Sequence, residues 1–371
     1  MKPLDGIKII DFSTLLPGPL ATLILAEAGA EVIKVEKPGG EDMRRSPPFI
    51  DGESVLFGVL NRGKRSIELD IKSEEGFNKI TNLIKSSDIV VDQFRPGVMD
   101  RLGLDFKNLL KIKPNIIHCS ITGYGQTGPK KLVAAHDLNY MAESGLLSLA
   151  REKDGSPAMP NTQIADIAGG SYPAVINILL ALREVEKTGQ GKFLDISMTD
   201  NLFPFMWMAL GLTTDNYYAR GGDLQLTGAS PRYGIYETLD KGYIALGALE
   251  EKFWLRFCEV INLPKEFIND KVNPTASKKE IIKILKEKTT KYWKEILDKE
   301  NNICCSIVHS LKEAMLDAQV IERELLTANM QIGNKKIIAM PTPLAPLWRP
   351  KEIIESAPKL GEANAFYMEK P

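Results

Sequence analysis

Three ionisable side chains, His136, Asp166 and Glu250, stand in sequence contexts that suit proton transfer. His136 lies in Ala-Ala-His-Asp-Leu-Asn-Tyr, at the predicted start of a helix. A helix amino terminus lowers the pKa of an imidazole, which keeps the ring neutral as a general base must be. Asp166 precedes a long apolar helix, and Glu250 closes a predicted strand. Taken singly, each is more simply a structural residue, since Asp166 suits an N-cap and Glu250 a capping carboxylate.

Basic residues gather in the loops that follow predicted strands of the first half. Lys37 follows the second strand, residues 61–66 (Asn-Arg-Gly-Lys-Arg-Ser) form a basic turn, and Arg95 follows a later strand. Loops at the carboxyl ends of strands line the ligand crevice of an open α/β sheet. Arg and Lys both bind phosphate oxygens, so these loops suit a phosphorylated ligand. Ordinary surface charge would explain the same spacing.

Apolar runs and turn signals alternate between strand and helix through the first 200 residues. Short strands are predicted at 7–12, 31–35, 88–94, 115–122 and 193–198, with helices between them and a long apolar helix at 167–184. This alternation predicts βαβ units and a parallel sheet, hence an α/β fold. The first turn, STLLPGPLA, lacks the G-x-G-x-x-G pattern, which disfavours a plain NAD enzyme.

The character of the chain changes near residue 200. An antiparallel strand is predicted at 241–249, followed by helices at 251–263 and 279–297. The proline-rich stretch 341–350 is expected to be extended and to cross back to the first domain. A length of 371 residues fits two domains.

Net charge, the length of apolar stretches and the number of cysteines and histidines limit the classes of protein to which the chain could belong. A formal net charge of -1 gives no global attraction to nucleic acid or to an anionic membrane. The apolar stretches near 174–182 and 202–212 look too short to span a bilayer, so we expect a cytoplasmic protein. Four cysteines and three scattered histidines suggest neither a disulfide framework nor a metal site.

Five segments together resemble the family III CoA-transferases, and most closely their alpha-methylacyl-CoA racemase branch. They are LDGIKIIDFSTLLPGPLATLILAEAGAEVIKVEKPGG, NRGKRSIELD, FRPGVMDRLGLD, ITGYGQTGP and KTGQGKFLDISMTD, within residues 4–260. The resemblance implies a Rossmann-like large domain, a smaller α+β domain and an interlaced homodimer. The implied bounds are 1–198 for the large CoA-binding domain, completed by 338–371, and 226–325 for the small domain, with linkers at 199–225 and 326–337.

The resemblance also implies where an acyl-CoA would bind. CoA enters as part of the thioester substrate, with no separate cofactor and no metal. The implied contacts on the large domain are Lys37, Asn61, Lys64, Arg65, Arg95, Ala135 and Asp137.

Motifs within the family separate two chemistries. The segments AHDLNY, ADIAGGS and GALE match the racemase motifs, which places His136, Asp166 and Glu250 on the racemase acid–base set. The expected reaction is interconversion of C2 epimers of a 2-methyl-branched or similar acyl-CoA of fatty acid metabolism, with an enolate held by backbone amides at 167–169. The alternative is a CoA-transferase in which Asp166 attacks the thioester and forms a mixed anhydride. A third interpretation is a non-catalytic acyl-CoA-binding protein.

The chain departs from the racemase pattern at several positions. Ala135 replaces a glycine, and Thr-Gln-Ile at 162–164 replaces Leu-Leu or Leu-Val. In the predicted small domain, Gly-Ala-Ser-Pro at 228–231 replaces Gly-Gly-Ala-Pro, and Glu-Lys at 251–252 replaces Pro-Gln. The last two changes lie where the small domain is expected to face the acyl group, so they bear on the substrate.

Overall fold

The structure is a computed structural model that describes residues 2–152, 154–214, 217–351, 353–354 and 356–368. The chain forms two compact units, each described here by itself. The first unit comprises Met1–Ser144, Pro160–Phe205 and Ala318–Pro371. The second unit comprises the short segment Gly145–Met159 and the long segment Met206–Asp317.

The helices and strands alternate along the first unit. They are β1 (Lys8–Asp11), α1 (Pro17–Glu27), β2 (Glu31–Glu36), β3 (Phe49–Ile50), β4 (Glu53–Ser54), α2 (Val55–Asn61), β5 (Arg65–Glu68), α3 (Glu74–Lys85), β6 (Ile89–Asp92), α4 (Val98–Arg101), α5 (Phe106–Ile112), β7 (Ile117–Thr122), α6 (Asp137–Ser144), α7 (Tyr172–Thr188) and β8 (Lys192–Ser197). The second unit contributes α8 (Trp207–Gly211), β9 (Tyr233–Glu237), β10 (Tyr243–Gly247), α9 (Glu251–Val260), α10 (Pro274–Leu285), α11 (Thr290–Leu297), β11 (Cys305–Ile307) and α12 (Leu311–Met315). The chain ends in the first unit with α13 (Ala318–Glu322), β12 (Asn329–Ile332), β13 (Lys335–Ile338), β14 (Ile353–Ile354) and α14 (Asn364–Met368).

Six parallel strands form the central sheet of the first unit, in the order β5-β2-β1-β6-β7-β8. In chain order this is third, second, first, fourth, fifth, sixth, which is the order of doubly wound dinucleotide-binding sheets. All residues of β6 and β7 are buried, as expected of strands covered on both faces. The predicted α/β fold with a parallel sheet is therefore confirmed.

The strand order reverses between β1 and β6, which pair directly with Ile9 opposite Ile89. The loops that follow these two strands turn to opposite sides of the sheet, because the chain winds in opposite directions from this point. In open α/β sheets this divergence leaves a crevice outside the carboxyl ends of the strands. Residues 12–16 and 93–96 must therefore border that crevice.

Local sequence determines where helix α3 begins and which of its faces is buried. The Ser73 hydroxyl accepts a hydrogen bond from the Gly76 amide at 3.0 Å and so caps the amino terminus. The apolar side of the helix buries Ile80, Leu83 and Ile84 against the sheet. Full burial of an aliphatic side chain of this size contributes about 2 kcal/mol. Replacing the fully buried Ile80 with a polar residue would be expected to weaken the packing of α3 against the sheet.

The long apolar helix expected at 167–184 consists of two parts. A π-helical turn, Ala165–Ser171, precedes α7, which ends where Gly189 takes a left-handed conformation with φ 66°. Together they form a segment of 24 residues, Ala165–Thr188, long and apolar enough to cross a bilayer by length and composition alone. The apolar run near 174–182 thus lies within a longer helix, part of which is buried inside the protein.

The second unit has an antiparallel sheet, β11-β10-β9, packed against α9, α10 and α11. The single helix predicted at 279–297 is instead two helices. The Thr289 hydroxyl caps α11 by accepting from the Tyr292 amide, and Asp240 accepts from the Thr290 amide. These hydrogen bonds begin a new helix after α10 has ended. The apolar periodicity of the sequence nevertheless continues across the break.

Unit bounds differ from the implied domain bounds in several places. Residues 318–325, expected in the small domain, belong to the first unit, and the expected linker 199–225 divides between the units after Phe205. Residues 326–337, expected to be a linker, contain β12 and most of β13, which form a sheet with β14 in the first unit. The segment Gly145–Met159 groups with the second unit rather than the first. The stretch 341–350, expected to be extended, contains the short 3-10 helix Pro346–Trp348.

Candidate active site

A cavity of about 270 Å³ lies at the crevice bordered by the loops after β1 and β6. Thr14 from the first loop and Arg95 from the second line it. His136 and Asp166 line the same cavity, although 30 residues of sequence separate them. The fold thus brings together two of the three predicted acid–base residues and two predicted CoA contacts, Arg95 and Ala135.

His136 stands directly before α6 with an exposed side chain. Its amide donates to Asn139 Oδ1 at 3.0 Å, and its carbonyl accepts from the Asn139 amide at 2.8 Å. This reciprocal pair fixes the backbone of His136 without using the imidazole. Asn139 therefore holds the main chain at the point from which the ring projects.

Tyr140 supports the same turn from inside, a role that sequence reasoning missed. Its hydroxyl donates to the Ala135 carbonyl at 2.8 Å, and burial raises its pKa to about 12. Its ring lies so close to Gly123 that an added Cβ would approach the ring carbon Cε1 to 2.3 Å. The signal in the sequence was the tyrosine four residues after His136, one turn along the same helix face.

Asp166 is half-buried inside the π-helical turn rather than at an N-cap. Burial, with a smaller contribution from the nearby Asp137 carboxylate, raises the pKa of Asp166 to about 7. Asp137 in turn accepts a hydrogen bond from the Asp166 amide at 2.9 Å, which ties α6 to the π-helical turn. A carboxyl with this pKa both accepts and donates a proton at neutral pH.

One of the backbone amides expected to hold the enolate already donates a hydrogen bond within the protein. The Ile167 amide donates to the Gln163 carbonyl at 3.1 Å. It therefore does not offer a hydrogen to a substrate oxygen in this structure. The expectation that amides at 167–169 hold an enolate is corrected for Ile167, because the π-helical turn begins earlier than the predicted helix.

Glu250 belongs to the second unit and is exposed. The strand before it ends at Gly247 rather than Leu249, and Glu250 occupies the N-cap position of α9. Within the described chain its carboxylate makes no capping hydrogen bond to α9, so the predicted capping role is wrong. Its coupling to His136 stays a prediction.

The predicted CoA contacts divide into exposed and buried groups. Lys37, Arg65 and Arg95 are exposed, and Lys37 pairs with Asp42 at 3.2 Å. Asn61 and Lys64 are fully buried and bonded to each other, with Lys64 Nζ 2.9 Å from Asn61 Oδ1. Neither side chain reaches the surface, so their expected role as CoA contacts is corrected.

A larger cleft of about 670 Å³ adjoins the catalytic cavity and shares Thr14 and Phe94 with it. Lys37 and Lys72 lie on its rim, while Ile71 and other apolar side chains form its floor. The carboxylates of Glu36, Glu41, Asp42 and Asp70 line it as well, so the cleft is apolar with charged groups of both signs at its edge. Lys72 was missed by sequence reasoning, although it lies just beyond the carboxyl end of β5.

No group of three His, Cys, Asp or Glu side chains that could hold a metal ion occurs among the residues that the structure describes.

Comparison with known proteins shows that residues 4–364 match the model of CoA-transferase family III. The chain belongs to this family. It is 35% identical over 360 residues to the succinyl-CoA:glutarate CoA-transferase of Mus musculus, covering 92% of this chain and 80% of the relative. It is 32% identical over 319 residues to the alpha-methylacyl-CoA racemase of Homo sapiens, covering 84% and 79%.

A solved structure of this family also matches the whole chain. The crystal structure of Rv3272 from Mycobacterium tuberculosis superposes with a TM-score of 0.84 at 27% identity, covering 99% of both chains. The family membership inferred from five sequence segments is thus confirmed, and the match extends beyond residue 260. Relatives of this family III enzyme include both racemases and CoA-transferases.

Proposed function

We propose that this enzyme interconverts the C2 epimers of 2-methyl-branched or similar acyl-CoA thioesters by two-base proton transfer. The observation that carries the proposal is the shared cavity, where His136 and Asp166 both face the crevice at the strand-order reversal. The raised pKa of Asp166, about 7, lets it act in either direction at neutral pH. Conversion of each pure epimer into a mixture, followed by chiral chromatography of the hydrolysed acid, tests it.

The chemistry assigns one proton transfer to each residue. In one direction neutral His136 removes the C2 proton, and the electron pair moves onto the thioester oxygen as an enolate. Protonated Asp166 then delivers a proton to the opposite face of C2. The reverse direction exchanges the two roles, so the pair carries one proton at the start of either reaction. Glu250, on the second unit, is proposed as the third member of the acid–base set.

The large cleft is proposed to hold the nucleotide part of CoA. Its rim cation Lys37 suits phosphate oxygens, and its apolar floor suits a purine ring. Arg95 lines the catalytic cavity and is exposed, so it is placed to hold the CoA chain beside the reacting carbon. Arg65 is proposed as a further contact, and Ala135 and Asp137 frame the acyl end.

Changing Arg95 to Ala is expected to raise KM for the acyl-CoA about tenfold and to change kcat less. A contact made equally in the ground state and the transition state affects binding rather than the chemical step. Steady-state kinetics across substrate concentrations measure both constants. Arg323→Ala, a matched change at an exposed arginine of the same unit, should leave both unchanged. Unchanged affinity in the Arg95 variant would contradict the assignment.

A CoA-transferase is the second candidate, because the cavity is small and polar. Arg95 and Lys131 give it two cations, and its volume of about 270 Å³ suits a short carboxylic acid. Asp166 would then attack the thioester carbon and release CoA as thiolate, leaving an acyl–aspartyl anhydride. Hydroxylamine would trap that acyl group as a hydroxamate. Trapping during turnover, with no epimerisation, would favour this candidate.

The first unit also supports the proposal of an interlaced homodimer. Tyr172, Ile176, Leu179 and Leu180 follow the spacing of one face of α7 and are exposed, Leu180 to 64%. Phe203 and Phe205, which belong to the same unit, are also exposed apolar side chains. An apolar stripe on one helix face marks a surface that another protein surface covers.

Sedimentation velocity at micromolar concentration is expected to show a dimer with no folded monomer. The double change Ile176→Glu and Leu180→Glu should lower the dimer fraction strongly, because it places charges within the apolar stripe. The double change Lys79→Glu and Lys85→Glu on α3 adds charge elsewhere and should leave the dimer intact. A stable folded monomer of the unaltered chain would refute the dimer.

A further inference from the structure

The ammonium group of Lys64 lies at the centre of a buried hydrogen-bond cluster beneath the loop between β1 and α1. Its Nζ donates to the Pro19 carbonyl at 3.0 Å, to Thr22 Oγ1 at 2.8 Å and to Asn61 Oδ1 at 2.9 Å. The Asp11 carboxylate stands 3.2 Å away and balances its charge. All three of its hydrogens thus have acceptors, and one of them holds the backbone of α1.

The Asp11 carboxylate holds the other side of the same loop. It accepts from the Ser13 amide at 2.9 Å and from the Ser13 hydroxyl at 2.5 Å, while its second oxygen accepts from Thr22 Oγ1 at 2.6 Å. A second buried lysine, Lys34, donates to the Ser13 carbonyl at 2.8 Å and pairs with Glu41 at 3.0 Å. Residues 13–19, here called the first turn, are therefore fixed at both ends by buried charges.

The first turn connects two loops of the catalytic cavity. The Ser171 hydroxyl, at the end of the π-helical turn, donates to the Pro17 carbonyl at 2.7 Å. The Gly18 amide donates to Gln93 Oε1 at 3.0 Å, in the loop that carries Arg95. Leu15 takes a left-handed conformation with φ 62°, which an aliphatic residue adopts only where its surroundings impose it. The first turn thus holds the π-helical turn that carries Asp166, and it makes one contact to the Gln93 side chain.

We propose that Lys64, through its ion pair with Asp11, is a positioning residue that fixes the first turn and thereby the π-helical turn that carries Asp166. This inference rests on the proposed function, since the positioned groups are those of the proposed reaction. It replaces the role of Lys64 as a CoA contact.

Burial explains why a charge at this place controls geometry. Removing Lys64 leaves the Asp11 carboxylate without the cation closest to it in the cluster, and an uncompensated buried charge is strongly destabilising locally. The Pro19 carbonyl and Thr22 lose their donor as well. Misplacement of catalytic groups by about 1 Å costs on the order of 100-fold in rate. The expected effect is therefore on turnover rather than on binding.

The titration of Lys64 gives an independent signature. Desolvation lowers its pKa to about 8, although Asp11 from β1 and Glu41 oppose the shift while Lys34 from β2 adds to it. We expect kcat of the unaltered enzyme to fall as pH rises through about 8, because the neutral amine no longer balances Asp11. The Lys64→Met variant should lack this alkaline limb.

The test compares Lys64→Met with Lys85→Met, the same change at an exposed lysine of α3. We expect the first variant to lose at least tenfold in kcat with KM and calorimetric CoA affinity within about twofold, and the second to be unchanged. A raised KM with unchanged kcat would overturn the proposal and restore the CoA-contact role. Loss of CoA affinity in the Lys64 variant would do the same.

A double variant, Asp11→Asn with Lys64→Met, separates positioning from folding. Removing both buried charges should restore most of the decrease in urea midpoint that Lys64→Met alone causes. Turnover should stay low, since the Pro19 carbonyl still lacks its donor. Recovery of kcat together with stability would show that Lys64 only stabilises the fold, which would overturn the proposal.

Backbone hydrogen exchange followed by mass spectrometry gives a readout that does not depend on the reaction. Peptides covering 12–22 and 165–172 should exchange faster in the Lys64→Met variant than in the Lys85→Met control. Unchanged exchange would overturn the positioning role. Absence of epimerisation and CoA transfer in the unaltered enzyme would instead count against the proposed function and leave this result standing.

Discussion

Replacement of Asp166 by Asn is expected to lower kcat for C2 epimerisation by about 1,000-fold, the middle of the range for a single acid–base group. The amide has nearly the same shape as the carboxyl but neither accepts nor delivers the proton. Asp166 is half-buried in the cavity, so no water replaces it at the same position. Initial rates from each pure epimer, with chiral analysis of the product, measure the loss.

Stability separates this loss of activity from unfolding. The pKa of Asp166 is about 7 in the folded state against an ordinary value of 3.8. Between these values the folded protein holds the proton more tightly than the unfolded chain, so stability falls as pH rises from about 4 to about 7. The Asp166→Asn variant has no carboxyl group at this position, so its stability does not show this fall with pH. It should be at least as stable as the unaltered enzyme at pH 8.

Asp154→Asn is the matched control, because Asp154 is exposed in the second unit and makes local contacts only with Ser156. It should retain full activity. Urea unfolding at pH 5 and pH 8 compares the three proteins. An Asp166→Asn variant that keeps more than a tenth of the activity, while folded, would contradict an acid–base role for Asp166.

Replacement of His136 by Ala should affect the two epimers unequally. The epimer whose proton His136 removes should lose exchange by at least 100-fold, the lower range for a general base. The other epimer loses its proton to Asp166 and should retain part of its exchange, although it no longer inverts. Isotope exchange at C2, followed separately from each epimer, measures the asymmetry.

His309→Ala is the control for this prediction. The chain has three histidines, and His309 is exposed in the second unit, outside the cavity. It should behave as the unaltered enzyme with both epimers. Equal loss of exchange from both epimers in the His136 variant would contradict a two-base mechanism and assign the ring a positioning task. A mild effect on a CoA-transfer reaction would support the second candidate.

The parts of the fold that follow from apolar periodicity could be predicted. Five of the six strands of the parallel sheet were indicated by short apolar runs between helices, because strands buried on both faces carry few polar residues. The sixth, β5 (Arg65–Glu68), was missed because its sequence, RSIE, is mostly polar. Family membership was indicated by five segments, since each carries one or more glycines at fixed spacing. The placement of His136 before a helix followed from the Asp and Asn after it, which suit a helix start.

The features that depend on contacts between distant segments could not be predicted. Lys64 lies in a polar segment between charged neighbours, and only its packing against Asp11, 53 residues earlier, shows that it is buried. The π-helical turn of Asp166 follows from the close approach of Gly169 to Met198, where an added Cβ would lie 2.5 Å from the Met198 carbonyl oxygen. The break between α10 and α11 depends on Asp240, which accepts from the Thr290 amide.

The most direct test of the proposed function is proton exchange at C2 in heavy water, without any acceptor acid. Each epimer of a 2-methylacyl-CoA is incubated with the enzyme, and proton NMR follows the loss of the C2 signal. The account predicts deuterium incorporation from both epimers, together with inversion at C2, in the unaltered enzyme. Absence of exchange from either epimer, while CoA passes readily to a free carboxylic acid, would contradict it.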